Sequence, residues 1–133
     1  METKLNHAKS FKDLEVYRQS RELSKNIFQL TQNFPKSEKY SLSDQIIRSS
    51  RSIGAQIAES WGKRRYRNHF ILKLTDADAE QYETQHWIDI AFENEYIDHL
   101  TKENLINKCG SIGKMIGSMI EKAHLFCQNR NND

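Results

Sequence analysis

Four stretches of this 133-residue chain repeat apolar or small residues every three to four positions, and the chain's one proline falls between the first two. That spacing gives a helix one buried face, because an α-helix turns once every ~3.6 residues. The first stretch runs Val16, Ser20, Leu23, Ile27, Leu30, Phe34, and the second Ile46, Ser50, Ile53, Ile57, Trp61. The third runs Phe70, Leu74, Ala77, Gln81, Thr84, Ile88, Ala91. The fourth runs Leu105, Cys109, Ile112, Ile116, Met119, Ala123, Phe126. The spacing predicts helices over about 11–34, 42–63, 68–95 and 101–127. Pro35 ends the first, since proline cannot continue a helix ladder. Ser41 or Ser43 can cap the second, which stops near Gly62, and Thr101 can cap the fourth. The connections, near 35–41, 64–68 and 96–100, are short enough to make sequence neighbours antiparallel. The expected fold is all-α, an antiparallel up-down-up-down four-helix bundle forming one domain over 1–133.

Several classes of protein are excluded at this stage. No apolar run approaches the ~20 residues of a membrane span. Met1 to Asn6 lacks the apolar core of a secretory signal, so a cytoplasmic chain is expected. Cys109 and Cys127 lie 18 residues apart on one predicted helix, roughly 27 Å, which is too far for a disulfide. Their spacing fits no zinc motif, and both read as small buried hydrophobes. The polar tail from Gln128 to Asp133 is expected to fray.

Net charge is only +2, but it is unevenly spread. Residues 1–67 hold 14 Lys/Arg and 7 Asp/Glu, whereas residues 68–133 hold 6 and 11. The split fits a basic contact surface, complementary faces that meet within or between subunits, or solvated helix faces. Lys63, Arg64, Arg65 and Arg67 cluster at the end of the second helix around Tyr66. Cations beside an aromatic suit phosphate contact with base stacking. Helix C-termini also attract cations, so a solvated turn is the competing reading. In the fourth helix, Gly110, Gly113 and Gly117 form a stripe beside the seam. Each glycine costs about 1 kcal/mol relative to alanine, so the stripe implies close approach by another backbone, inside the bundle or across a subunit contact.

The second helix reads Gln45-Ile46-Ile47-Arg48-Ser49-Ser50-Arg51-Ser52-Ile53-Gly54-Ala55-Gln56-Ile57-Ala58-Glu59-Ser60. This resembles the signature of the bacterial 23S rRNA intervening-sequence family, Q-hydrophobic-x-R-A-A-x-S-I-x-x-N-I-A-E-G. Asp13-Leu14-Glu15-Val16-Tyr17 is similar to the family's opening D-L-x-V-W/Y. Phe34-Pro35-Lys36 with Glu38-Lys39-Tyr40 resembles its F-P-x-x-E-x-Y turn. Phe70, Lys73-Leu74, Glu80, Glu83-Thr84 and Trp87-Ile88 match its F-x-x-K-L and E-x-x-E-T-x-x-W-L spacing. The resemblance spans about 11–127 and departs from the signature at Gln56, where the family has Asn, and Ser60, where it has Gly. It implies a small bundle that assembles into five-membered rings, some members being encoded inside insertions in 23S rRNA genes. It is also similar to the accessory protein of diversity-generating retroelements, a basic pentameric barrel that binds nucleic acid and a reverse transcriptase. No catalytic residue carries over from the family.

Helical phase gives the signature's polar residues a physical reading. With Ile57 at zero, Arg48, Ser52, Gln56 and Glu59 fall roughly 180–260° round, away from the seam. A polar pattern there is expected at an interface with another subunit or a ligand. Lys73, Glu80 and Trp87 form a second stripe on the third helix. A partly buried Glu80 needs a partner, for which Arg48 or Arg51, of this chain or the next, is the candidate.

A catalytic reading has one lure, two Glu-x-x-His motifs at Glu83/His86 and Glu121/His124, as in di-iron bundles with Glu59 and Glu22 as extra ligands. Phase opposes it, because His86 falls near 200° and Glu121 near 160° from their seams, so the ligands diverge. Of the acidic stretch Asp76, Asp78, Glu80 and Glu83, only Glu80 is expected to lean inward. His7, His69 and His99 have no evident catalytic partner. No Gly-rich phosphate loop, nucleophile elbow or HExxH is present. No enzyme, cofactor or metal is therefore expected. Two readings remain: a ring-forming accessory protein that binds RNA or DNA, and an oligomeric scaffold for a protein partner.

Overall fold

The computed structural model describes residues 8–127; Met1–Asn6, His7 and the tail from Gln128 lie outside it. Four long helices carry the fold: α1 (Glu15–Thr31), α2 (Leu42–Gly62), α3 (Arg67–Glu93) and α4 (His99–Glu121). A last short turn, α5 (Ala123–Phe126), follows a break at Lys122. No strand occurs among the described residues. Helix α1 packs on α2 and α4, α2 on α3, and α3 on α4, which makes an all-α bundle around a shared core.

The apolar period forms the core almost as spaced. Every seam residue of the third and fourth stretches is buried. In the first two, Leu30 and Trp61 are half-buried and the rest are buried. Ile53, Ile57, Phe70, Leu74, Ile88 and Ile116 have no exposed surface. Phe70 stacks on Phe126 at 5.6 Å in one part of the core. Phe34, Leu42 and Ala91 form a separate small cluster. Polar seam residues are satisfied. Thr84 Oγ1 lies 2.9 Å from Ser49 Oγ on α2 and donates to the Glu80 carbonyl. Gln81 donates to Asp78 and accepts from Gln85.

Several helix ends differ from the spacing's expectation. A 3-10 turn, Phe11–Asp13, precedes α1 and is closed by a Ser10/Asp13 capping box. Helix α1 stops at Thr31, four residues before Pro35, and a second 3-10 turn follows over Lys36–Glu38. Ser41 occupies the α2 cap position but makes no side-chain cap bond. The Glu38 carboxylate accepts from the Leu42 N–H at 3.2 Å instead, while Ser43 is buried. Asp98, not Thr101, caps α4, accepting from the Thr101 N–H at 2.8 Å. A hydrogen bond from the Thr101 side chain, with the backbone N–H bond adding to it, holds the Asp98 carboxyl below its ordinary value. The α3–α4 connection passes through Glu95, whose φ of 62° is in the left-handed region. The Tyr96 N–H then bonds the Ala91 carbonyl, and its hydroxyl donates to Glu38 at 2.8 Å, tying two connections together.

The two cysteines are buried and unpaired with one another, although the break at Lys122 means that one continuous helix does not carry both. The glycine stripe divides. A Cβ at Gly110 or Gly117 would meet open space, whereas one at Gly113 would lie 3.0 Å from Gln81 Nε2 and 3.3 Å from Asp78 Oδ1. Gly113 thus admits a side chain of α3, not a backbone. The glycine at a close helix contact is Gly54, whose Cβ would lie 3.0 Å from Ser20 Oγ on α1.

Candidate nucleic-acid interface

The α2–α3 turn is built by the helix ends that flank it. Lys63 takes the C-cap position of α2, its N–H bonding the Ser60 carbonyl, and Arg67 opens α3. Lys63 and Arg65 are exposed, while Arg64 and Arg67 are half-buried. Arg64 lies flat on Trp61, its guanidinium carbon 3.6 Å from the ring centroid, and its Nε donates to the Trp61 carbonyl at 2.8 Å. Burial lowers the Arg64 pKa, with Cys127 nearby partly opposing the shift. An arginine so placed keeps its charge, since guanidinium is not deprotonated in proteins. Arg65 lies 5.7 Å over the Tyr66 ring, which in turn packs at 5.4 Å on His69. Tyr66 is 39% exposed, so the turn presents a ring beside the exposed Lys63 and Arg65. Sequence reasoning gave Trp61 and His69 no part here. Their spacing of three from Arg64 and Tyr66 is the signal that places each pair together.

The five residues assigned to a subunit contact do not share one environment. Arg48 is exposed and reaches Asp44 at 3.9 Å, a loose surface pair one turn away. Ser52 is half-buried. Gln56 is half-buried too, and its Oε1 is shut from solvent with no donor among the described residues. Glu59 accepts from Lys73 of α3 at 2.7 Å. That hydrogen bond raises the Lys73 pKa, with the Glu59 and Asp76 charges adding to it. Glu80 is half-buried, but neither candidate arginine of this chain meets it: Arg48 turns to Asp44, and Arg51 lies 5.2 Å over the Phe28 ring. Asp78 and Asp76 are half-buried as well, so Glu80 is not alone in leaning inward. Of the two departures from the family signature, Gln56 has this orphaned oxygen, and Ser60 is fully buried with its hydroxyl donating to the Ile57 carbonyl at 2.6 Å.

The residues of the di-iron reading do not converge. Glu83, His86, Glu121 and His124 are all exposed, and Glu83 instead accepts from the Trp87 indole at 3.0 Å. Glu59 and Glu22 bond lysines of other helices, Lys73 and Lys108. Among the described residues no helix is long and apolar enough to cross a membrane.

Residues 12–118 match the family of 23S rRNA-intervening sequence proteins. The fold is similar to a crystal structure from Bacteroides thetaiotaomicron, a protein of unknown function from the S23 ribosomal protein family. That structure is 33% identical with a TM-score of 0.71, over 80% of this chain and 95% of the other. No curated protein matches.

Proposed function

This chain belongs to the 23S rRNA-intervening sequence protein family, and we propose that it is a non-enzymatic, ring-forming accessory protein that binds RNA or DNA through its α2–α3 turn. One observation carries the reading. Lys63 and Arg65 stand exposed next to a partly exposed Tyr66, with Arg64 held flat against Trp61 beside them. Exposed cations meet phosphates, and an open ring meets a base. A homo-oligomer multiplies this contact: a five-membered ring, as the family resemblance implies, would set about 20 charges of these turns on one rim. An up-down-up-down course of the helices is part of the same reading. The connections over 63–66 and 94–98 are short, which supports antiparallel neighbours. The expected location is the cytoplasm.

An oligomeric scaffold for a protein partner is the second reading. It is favoured by Gln56, whose orphaned Oε1 needs a donor from elsewhere, and by Gly110 and Gly117, which face open space. Replacing Lys63 and Arg65 together with serine separates the readings. If the turn binds nucleic acid, affinity falls about tenfold and the salt dependence shallows by about 1.4 in log–log slope per subunit, at unchanged melting temperature. Binding equal to that of the unaltered chain would leave the scaffold reading.

A further inference from the structure

A second surface carries positive charge on residues other than that pair of exposed cations. Between the flanks of α1 and α2 runs a groove of about 980 Å³. Its floor is made shallow by small residues of α2, namely Gly54, Ala55 and Ala58. Five cations line it, Lys12, Arg18, Arg21, Lys25 and Arg51, against one carboxylate, Glu22. Lys108 of α4 already pairs with Glu22 at 3.4 Å, so that charge is matched. Arg18 is held by Glu15 at 2.8 Å and by backbone carbonyls, which leaves four cations to meet a ligand.

Rings and cations alternate along this groove. Lys12 lies 6.0 Å from the Phe11 centroid, Arg21 5.7 Å from Tyr17, and Arg51 5.2 Å from Phe28. Phe28 is 41% exposed, on the same side as Lys25 and Arg51. Phe11 and Tyr17 are half-buried, so Phe28 is the ring open to a base, with cations on either side to meet the flanking phosphates of a nucleic-acid strand. Neighbouring helix axes lie only ~8–10 Å apart, so a groove between their flanks admits one strand and not a duplex.

We infer that the α1–α2 groove binds single-stranded RNA or DNA, with Arg21, Lys25 and Arg51 on its phosphates and Phe28 stacked on a base. This rests on the nucleic-acid reading above but uses residues outside the turn. An acidic protein segment, including a face of a second copy, would meet the same cations without using the open Phe28 ring as a base does.

The test compares the unaltered chain, a groove variant (Lys25→Ser, Phe28→Ala, Arg51→Ser) and the turn variant (Lys63→Ser, Arg65→Ser). Each is titrated by fluorescence anisotropy with a mixed-sequence single strand of about 15 nucleotides, near one site size, and with its duplex. Melting temperature and light-scattering mass are followed in parallel. The expected result is preference for the single strand, and a loss of about tenfold or more in the groove variant at unchanged mass and melting temperature. Photocrosslinking an iodouracil-bearing strand to the unaltered chain should mark the α1 peptide that contains Phe28. If only the turn variant loses affinity, the groove inference fails and the turn reading stands. If the unaltered chain binds neither polymer, both fail. A groove variant that changes mass but binds as before makes the groove an interface between copies and overturns the inference. Should the groove variant not fold, absence of any α1 crosslink overturns it.

Discussion

Ile57 has no exposed surface, and it stands in the seam of α2 where the sequence period puts it. Truncating it to alanine removes buried methyl groups and leaves a cavity, so Ile57→Ala is expected to cost ~2–5 kcal/mol in chemical denaturation. A loss under about half a kcal/mol would contradict the packing. Cys109 is the other informative residue. Burial pushes its thiol from 9.0 up to about 12, so the fold accepts only the neutral form. Below pH 9 folded and unfolded chains both hold the proton. Between pH 9 and about 12 only the unfolded chain releases it, and stability falls as pH rises. Denaturation midpoints followed up through that window should drop less steeply for Cys109→Ala than for the unaltered chain; parallel curves would count against the buried thiol. Burial at such positions was legible from spacing because a helix face depends on period alone. Pairing was legible only within a helix: Arg48 meets Asp44 at the i,i+4 spacing of one helix face, whereas Arg51 lies over the Phe28 ring of α1, which no spacing along α2 encodes.

Helix bodies were legible and helix ends were less so. The third and fourth seams are buried throughout, whereas two of the expected caps moved. Asp98 precedes Thr101 by three residues, so its carboxylate accepts from the Thr101 N–H itself and the helix starts one turn before a threonine cap would start it. Glu38 reaches the α2 terminus because the 3-10 turn over Lys36–Glu38 folds it back, a geometry that only the chain's path supplies. The cations of the turn read correctly as adjacent in sequence, but half of them are half-buried. Trp61 draws Arg64 down, and Lys63 and Arg65 are left exposed. On α2 the subunit-contact reading is testable at the element itself. The Arg48–Asp44 pair is exposed and long, so it adds little to the fold. Arg48→Glu should therefore lower the oligomer mass in light scattering while leaving helicity unchanged. An unaltered chain that is monomeric at micromolar concentration would end the ring.

At the scale of the whole molecule, a chain of net charge +2 carries most of its cations in the first half and most of its carboxylates in the second. The asymmetry was legible from composition; the groove was not, because Arg21, Lys25 and Phe28 of α1 become a wall only when α2 sets its small residues opposite them. Acidic residues of α3 and α4 would repel phosphate, so binding should be confined to the basic surfaces of α1, α2 and their connections. Phosphate binding has a signature that protein scaffolding lacks, namely the release of counterions from the nucleic acid. The most direct test is the affinity of the unaltered chain for single-stranded RNA and DNA measured across a salt series. With four cations of one turn engaged, log affinity should fall linearly against log salt with a slope of about −3 per bound subunit, and more steeply if several subunits share one strand. No detectable binding at low salt, or an affinity that does not change with salt, would contradict nucleic-acid binding by this protein.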